Sequence, residues 1–302
     1  MPTFVTGRVE VSVPATSANL GPGYDSLGLA LDFRDTVTAQ VAGSGLTITV
    51  EGEGAGTVAL DERHLVHRAM TSAFEAMGCP VPAVRVHCEN RIPHGRGLGS
   101  SSAAIVAGIC AARGLVAGGS LLMDDDAVFD LAARLEGHPD NVAPAFYGGF
   151  TIAATSDGRS RAATVSVDPR VQVVVFVPRE PVETKLARRL LPAVVPHADA
   201  AANAGCAALL VAALSRQPEL LLAATEDRLH QDYREPAMPP TLALVRALRA
   251  DGVPAVVSGA GPTVLAFVDA ANQSAVQQWV PDGWAVMALS IDRRGVQVDL
   301  GE

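Results

Sequence analysis

The stretch Ile92-Pro93-His94-Gly95-Arg96-Gly97-Leu98-Gly99-Ser100-Ser101-Ser102-Ala103-Ala104 decides how the rest of the chain is read. Three glycines within five residues precede three serines, and a run of small apolar residues, 103–112, then reads as a buried helix. With side chains nearly absent where the loop turns, backbone N–H groups can close around a large anion. A helix that starts there adds its own unpaired N–H groups and about half a positive charge. A phosphate chain is the natural guest, and the serine hydroxyls add ligands for it or for the divalent metal that travels with it. Read in isolation, the same residues also suit a glycine turn with a serine N-cap.

The stretch departs from the two commonest phosphate loops. No lysine follows the glycines, as a Walker A loop requires. Ser100 stands where a dinucleotide fingerprint needs its third glycine. The preceding Val84-Arg85-Val86-His87-Cys88 alternates apolar and polar residues, which suits a half-exposed antiparallel strand better than the core strand of a doubly wound sheet.

Composition sets the broad class. A chain of 302 residues has room for two domains of ordinary size, and 49% hydrophobic with 18% charged residues is a globular balance. The net charge of −9, with no basic stripe, argues against a nucleic-acid partner and means that an anionic substrate needs local positive groups. Cys79, Cys88, Cys110 and Cys206 are scattered without a Cys-x-x-Cys pair, so reduced, mostly buried thiols are expected. The segment 103–122 is apolar but carries Arg113 and four glycines, which speaks against a membrane span. No basic-then-apolar leader opens the sequence, and a cytoplasmic protein without a membrane partner is the expectation.

Strand-like stretches fall at 8–13, 35–41, 46–51 and 84–88, interrupted by a helical pattern at 65–77. A helix is expected over 124–135, capped by Asp124 or Asp125, with Val128, Leu131, Ala132 and Leu135 on one face. A strand follows at 147–154, and the polar segment 154–169 is the best candidate boundary. Beyond it lie strands at 171–177, 255–258 and 263–268, with helices near 199–214, 218–229 and 240–250. The pattern is α+β with antiparallel sheets, divided into domains 1–165 and 166–302.

Four further groups carry polar chemistry. The segment 14–25, Pro14-Ala15-Thr16-Ser17-Ala18-Asn19-Leu20-Gly21-Pro22-Gly23-Tyr24-Asp25, has the composition of a tight, rigid loop. Asn19 and Asp25 are its polar groups best able to reach a ligand, although both also suit Asx turns. Glu136-Gly137-His138-Pro139-Asp140-Asn141 closes the acidic helix, with Gly137 suited to a left-handed cap. Asp130, upstream on that helix, stands four residues before Arg134 and reads alone as half of an exposed ion pair. Ser258-Gly259-Ala260-Gly261-Pro262-Thr263 is a second glycine loop, either a hairpin turn or the far wall of a ligand site. Arg188 and Arg234, read singly, are solvated surface arginines.

In fixed order and with these spacings, three of these motifs resemble the GHMP kinases, the family of galactokinase, homoserine kinase, mevalonate kinase and phosphomevalonate kinase. The first family motif is similar to 14–25. The second, Pro-x3-Gly-Leu-Gly-Ser-Ser, is similar to Pro93 through Ser101 with one extra residue after Pro93, and the third matches Ser258 through Thr263. Within the family, the segments 17–25 and 136–145 are most similar to the homoserine-phosphorylating branch, and the resemblance spans about 11–267. It implies an N-terminal domain like the second domain of ribosomal protein S5, a ferredoxin-like C-terminal domain and an active site between them. It also implies phosphoryl transfer from ATP to the side-chain hydroxyl of L-homoserine, on the route to threonine.

The resemblance assigns roles residue by residue. Pro93, His94, Gly95, Arg96, Gly97, Leu98, Gly99, Ser100, Ser101 and Ser102 would hold ATP, and Gly259 and Gly261 would complete the site. Ser101 matches the serine that coordinates Mg2+. The acidic metal partner, counted eleven residues before Asn141, falls on Asp130, with Glu136 as the alternative. Asp25 would take the substrate ammonium and Arg188 with Arg234 its carboxylate, while Asn19, His138 and Thr184 match further pocket positions. Glu183 replaces the serine that often precedes that threonine. Asn141 stands where several relatives carry a catalytic aspartate; a neutral amide cannot accept the hydroxyl proton, so positioning and charge neutralisation are expected to carry the reaction. Dimers are common in the family the chain resembles, so the resemblance allows a homodimer, though no interface is readable in the sequence. The rival readings are a GHMP kinase acting on mevalonate or a sugar, which would give Asp25 no cationic partner, a non-catalytic sensor that kept the fold, and a structural interaction protein.

Overall fold

The alternation Val9-Glu10-Val11-Ser12-Val13 turns one face toward a core. The computed structural model, which describes residues 3–301, builds from it the start of strand β1 (Val9–Asn19). The strand does not stop where the alternation does. Ala15, Thr16, Ser17 and Ala18 are small enough to be buried, and β2 (Gly23–Val41) pairs with them antiparallel, Ser17 facing Leu29 and Ala18 facing Gly28. The segment 14–25, expected to be a loop, is thus mostly two paired strand ends joined by a turn over 20–22. Register shifts at Pro14/Ala15 and Ala18/Asn19 re-aim its polar side chains, a common use of a bulge.

The first sheet has seven strands. Its path runs β11 (Gln297–Leu300), β1, β2, β4 (Val84–Asn90), β3 (Leu46–Gly52), and β5 (Phe150–Ser156) branches from β2 to pair with β6 (Arg159–Val165). Helix α1 (Leu65–Ala76) packs on α2 (Ser100–Leu115), and α2 lies against β1 and β2. After the single turn α3 (Gly119–Leu122), helix α4 (Asp125–Glu136) begins at Asp124, whose side chain accepts from Ala127 N, and ends at left-handed Gly137. Helix α5 (Val142–Tyr147) follows at once.

The second sheet has the order β10-β7-β9-β8, all antiparallel, from β7 (Gln172–Val177), β8 (Ala255–Val257), β9 (Val264–Val268) and β10 (Ala285–Leu289). Between β7 and β8 run α6 (Thr184–Arg189), α7 (His197–Ser215), α8 (Leu221–Ala224) and α9 (Pro239–Ala250), and α10 (Gln273–Val276) precedes β10. This is the ferredoxin-like arrangement. One core, containing Val11, Leu29, Met70 and Val106, continues beneath the second sheet through Val173, Val175, Leu210, Leu214 and Leu265. A second core lies between that sheet's other face and α9. The apolar seam between the halves fixes the cleft above it.

Three strands depart from expectation. β6 lies in the polar segment read as a boundary, joined to β5 by a turn at Asp157-Gly158, both at positive φ. β10 was not anticipated, and nor was β11, which returns to pair with β1. The helix expected over 218–229 ends at Ala224 because the Asp227 carboxylate accepts the backbone N–H groups of Leu229, His230 and Gln231 and turns the chain. Helix α7 is long and apolar enough to cross a membrane by length and composition alone. Here it is anchored in the fold through Leu210, Ala213, Leu214 and buried Asn203, which donates to Pro22 O and accepts from Arg228 N.

Candidate active site

Gly95, Gly97 and Gly99 all adopt left-handed backbone angles, and their freedom from a Cβ has a packing reason at two of them. A Cβ on Gly97 would lie 2.2 Å from Ser258 O and 2.9 Å from Gly261 O; on Gly99 it would lie 1.9 Å from Thr16 Oγ1. The two glycine loops therefore touch backbone to backbone. Ser258 Oγ lies 2.6 Å from Gly97 O and 2.8 Å from Ser17 Oγ, Gly259 N donates to Ala18 O, and Thr263 N donates to Arg96 O. The loop at 258–263 is accordingly a wall of the site rather than a free hairpin turn.

Gly99, and not a serine, is the N-cap of α2, and no side chain caps that end. The first-turn N–H groups of the 16-residue helix point at a cavity of about 170 Å3 lined by all three loop glycines, Ser100 and Ser101. A neighbouring cavity of about 400 Å3 shares Ser100 and Ser101 and has His94, His64, Asp35, Ala103 and Ala104 in its wall. Pro93, Leu98 and Ser102 line neither cavity. Leu98 is buried and contributes its carbonyl, which accepts from Thr16 N. Arg96 turns away, donating to the carbonyls of His94 and Arg179.

The serines have an acidic neighbour, but it is not Asp130. Ser101 Oγ and Ser102 Oγ both donate to Glu136 Oε1, the latter at 2.9 Å, and Glu136 lines the cavity. Asp130 is held elsewhere: Arg134 Nη1 donates to one oxygen and Ser160 N to the other, and it does not line the cleft. Eleven residues before Asn141, Asp130 lies on a part of α4 that faces Arg134 and Ser160 rather than Ser101 and Ser102. The alternative, Glu136, is the acid beside those two serines.

The other end of the cavity is formed by Asn19, His138, Asn141, Thr184, Arg188, Arg234 and Gly259, which include every residue expected in the substrate pocket except Asp25. Asp25 stands just behind, its two oxygens accepting from Arg188 Nη2 at 2.7 Å and Nη1 at 3.1 Å; Nη1 also donates to Tyr24 Oη. The Asp25 hydrogen bond raises the Arg188 pKa further. Asn19 is largely engaged by the fold, accepting from Asp25 N and donating to Gly259 O. Asp140, which the motif reading passed over, is 2% exposed and accepts from His138 Nδ1 at 2.7 Å. Burial pulls the His138 pKa down, but the Asp140 hydrogen bond and charge outweigh it, and the net shift is upward.

Arg234 is the least expected feature. It is 1% exposed, and both of its hydrogen bonds, to His230 Nδ1 at 3.1 Å and Gly259 O at 3.0 Å, go to neutral acceptors. Its Nε has no partner. Burial lowers its pKa, as it does that of His230, whose Nε2 donates to Gly21 O. The carbon of its guanidinium lies 5.6 Å from the Tyr24 ring centroid. Asp227 and Asp25 act on it only at a distance, so the cavity wall holds a buried cation with no ion-pair partner, a group suited to receiving an anion. Among the described residues no cluster of His, Cys, Asp and Glu forms a ready metal cage. Cys79, Cys88 and Cys110 are buried free thiols, and burial pushes the last two up to about 12.

Comparison with known proteins identifies the family. The family model for the GHMP kinases N terminal domain matches residues 64–149, and that for GHMP kinases C terminal matches residues 198–285. The chain is 56% identical to a homoserine kinase of Streptomyces avermitilis over 98% of its own length and 97% of the relative's. It is 55% identical to that of Streptomyces coelicolor, covering 98% and 96%. Among solved structures, homoserine kinase from Cytophaga hutchinsonii superimposes with a TM-score of 0.85 at 26% identity, over 97% of this chain and 98% of that one.

Proposed function

The chain belongs to the GHMP kinase family, and on that premise we propose that it transfers the γ-phosphoryl group of ATP to the side-chain hydroxyl of L-homoserine. The observation that carries the choice of substrate is Arg234, a buried guanidinium with only neutral partners in the wall of the phosphate-loop cavity. Next to it the Arg188–Asp25 pair offers one cation and one anion. A zwitterion satisfies all three: its carboxylate meets Arg234 and Arg188, and its ammonium meets Asp25. Mevalonate or a sugar brings no ammonium, so Arg188 alone would answer the Asp25 charge, and a sensor would not need the intact set of phosphate-loop glycines, Ser101 and Glu136.

The first-turn N–H groups of α2 and the backbone of residues 95–99 hold the ATP phosphates, and the larger cavity that shares Ser100 and Ser101 takes the nucleoside. Ser101 Oγ and the Glu136 carboxylate are hard oxygen donors beside that phosphate site, a set that suits Mg2+, which binds through one or two carboxylates plus phosphate oxygens. When bound, the ion would neutralise phosphate charge. The homoserine hydroxyl oxygen attacks the γ-phosphorus, an O–P bond forms as the bond to the β-phosphate oxygen breaks, and ADP leaves. The hydroxyl proton passes to a phosphoryl oxygen, since the amide of Asn141 cannot take it. His138, held by Asp140, and Thr184 border the transfer path.

The domain division near 165, with the strand Gln297–Leu300 returning to the first sheet, is part of the same proposal, as are a homodimer and a cytoplasmic location. An ADP-release assay with magnesium-ATP tests the function, offering L-homoserine beside mevalonate, galactose, L-serine and L-threonine. Turnover confined to L-homoserine, or far faster with it, is the expected result. Preference for another alcohol would remove the roles given to Asp25, Arg188 and Arg234, and no turnover would favour the sensor.

A further inference from the structure

Thr16 is 0% exposed and sits on β1 directly beneath the phosphate loop. Its backbone N–H donates to Leu98 O at 3.0 Å, and its hydroxyl donates to Asn141 Oδ1 at 2.7 Å. Gly99 closes over the pair: a Cβ there would stand 1.9 Å from Thr16 Oγ1 and 3.2 Å from Asn141 Oδ1. A threonine hydroxyl both donates and accepts, but the one acceptor its proton finds among the described residues is Asn141 Oδ1; with the amide inverted, the NH2 would donate to Oγ1 and that buried proton would lose its partner. The amide nitrogen of Asn141 makes no hydrogen bond within the described protein, and Asn141 lines the cavity.

We infer that Thr16 is a positioning residue that fixes the orientation of the Asn141 amide, so that the NH2 group and not the carbonyl faces the reacting atoms. The inference rests on the kinase reading above. An inverted amide would set a carbonyl lone pair against the phosphoryl oxygens, a repulsive contact where the reaction concentrates negative charge. Held by Thr16, the NH2 donates to an oxygen of the transferring group without reorganisation at the moment of transfer. The same hydroxyl lies in contact range of Gly99, so the cap that orients the phosphates and the amide that meets the transferring group share one support.

Thr16→Val keeps the shape and removes the hydroxyl, and Thr16→Ser keeps the hydroxyl. We expect Thr16→Val to lower kcat about 10- to 100-fold, the effect of stripping one buried hydrogen-bond partner, with KM for L-homoserine and for ATP within about 2-fold of wild type. Thr16→Ser should recover most of kcat. Added to Asn141→Ala, Thr16→Val should cause little further loss, because its effect passes through the amide. An unchanged kcat in Thr16→Val, full additivity with Asn141→Ala, or a Thr16→Ser as impaired as Thr16→Val would each overturn the assignment. Melting temperature, read on the same samples, separates a fold defect, which Thr16→Ser would not repair selectively in kcat. A wild type inactive on L-homoserine would instead overturn the function proposed above.

Discussion

Replacing Arg234 with methionine is expected to weaken substrate binding and to strengthen the ligand-free fold. The guanidinium is 1% exposed, and removing an ion from water costs several kcal/mol even after relaxation. It recovers part of this through bonds to His230 Nδ1 and Gly259 O, through the Tyr24 ring and through the more distant charges of Asp227 and Asp25, but Nε stays without a partner and no carboxylate forms an ion pair with it. Methionine fills a similar volume without charge. The loss on the other side is small: Gly259 O keeps the Asn19 donor, and only His230 Nδ1 is stripped, at about 1–3 kcal/mol. The difference leaves a gain of roughly 1 kcal/mol, or a Tm raised by about 2–4 °C for a chain of this size.

Substrate sees the opposite sign. Losing a charge-assisted hydrogen bond to the α-carboxylate, about 1.5–3 kcal/mol, raises KM for L-homoserine roughly 10- to 100-fold and leaves KM for ATP unchanged. Steady-state kinetics and thermal unfolding with and without L-homoserine measure both effects, and substrate should raise the Tm of wild type but hardly that of the variant. A Tm several degrees lower with unchanged KM would refute the reasoning, for it would make Arg234 a strut of the fold rather than a receptor.

Glu136→Gln should reduce activity at least 10-fold and raise the magnesium concentration needed for half-maximal rate, whereas Asp130→Asn should leave both unchanged and shift stability by less than about 0.5 kcal/mol, as fits a half-exposed i,i+4 pair; equal kinetic defects would show that the two acids do not differ as their positions indicate. Asp25→Asn removes the ammonium partner and frees Arg188, so KM for L-homoserine should rise by about 10-fold or more while ATP binding, followed by nucleotide titration, stays intact. His138 gains a partner in Asp140, and its folded pKa lies above the ordinary 6.5; the stabilisation is therefore complete below about pH 6.5 and is lost as pH rises through the raised folded value. Unfolding curves should show that slope in wild type and not in His138→Gln, and parallel curves would count against the pair.

What was legible in the sequence is what local chemistry dictates. Glycines at 95, 97 and 99 and the serines after them specify a helix opening with bare N–H groups; α2 opens at Ser100 with Gly99 as its N-cap, three residues before the run 103–112 that reads as helix. Alternation found the start of β1 but not its buried continuation, because small residues at 15–18 carry no period and are held by pairing with β2 and by the loop above. β6 is polar and mostly exposed and shows no core-facing pattern, while β11 alternates over only four residues and its Val298 and Leu300 stay exposed; a partner strand, not burial, makes both of them strands.

The site shows the same division between local and distant information. Asp130 and Glu136 are six residues apart on α4, which places them about 120° apart around the helix axis. A count along the chain is blind to that angle, and only the helix's end at Gly137 decides which acid reaches the serines. Arg234 read as a surface residue because nothing near it in sequence is apolar enough to foretell burial. It is buried by tertiary contacts: Asp227 ends the preceding helical pattern, His230 swings under Gly21, and the second glycine loop closes over the guanidinium. Motifs therefore identify which residues take part, while charge balance inside the fold assigns their work. A buried cation at 234 with no ion-pair partner, an ion pair at 25 and 188 and an amide at 141 held by Thr16 are the features on which the proposed site for a zwitterion and a phosphate chain rests.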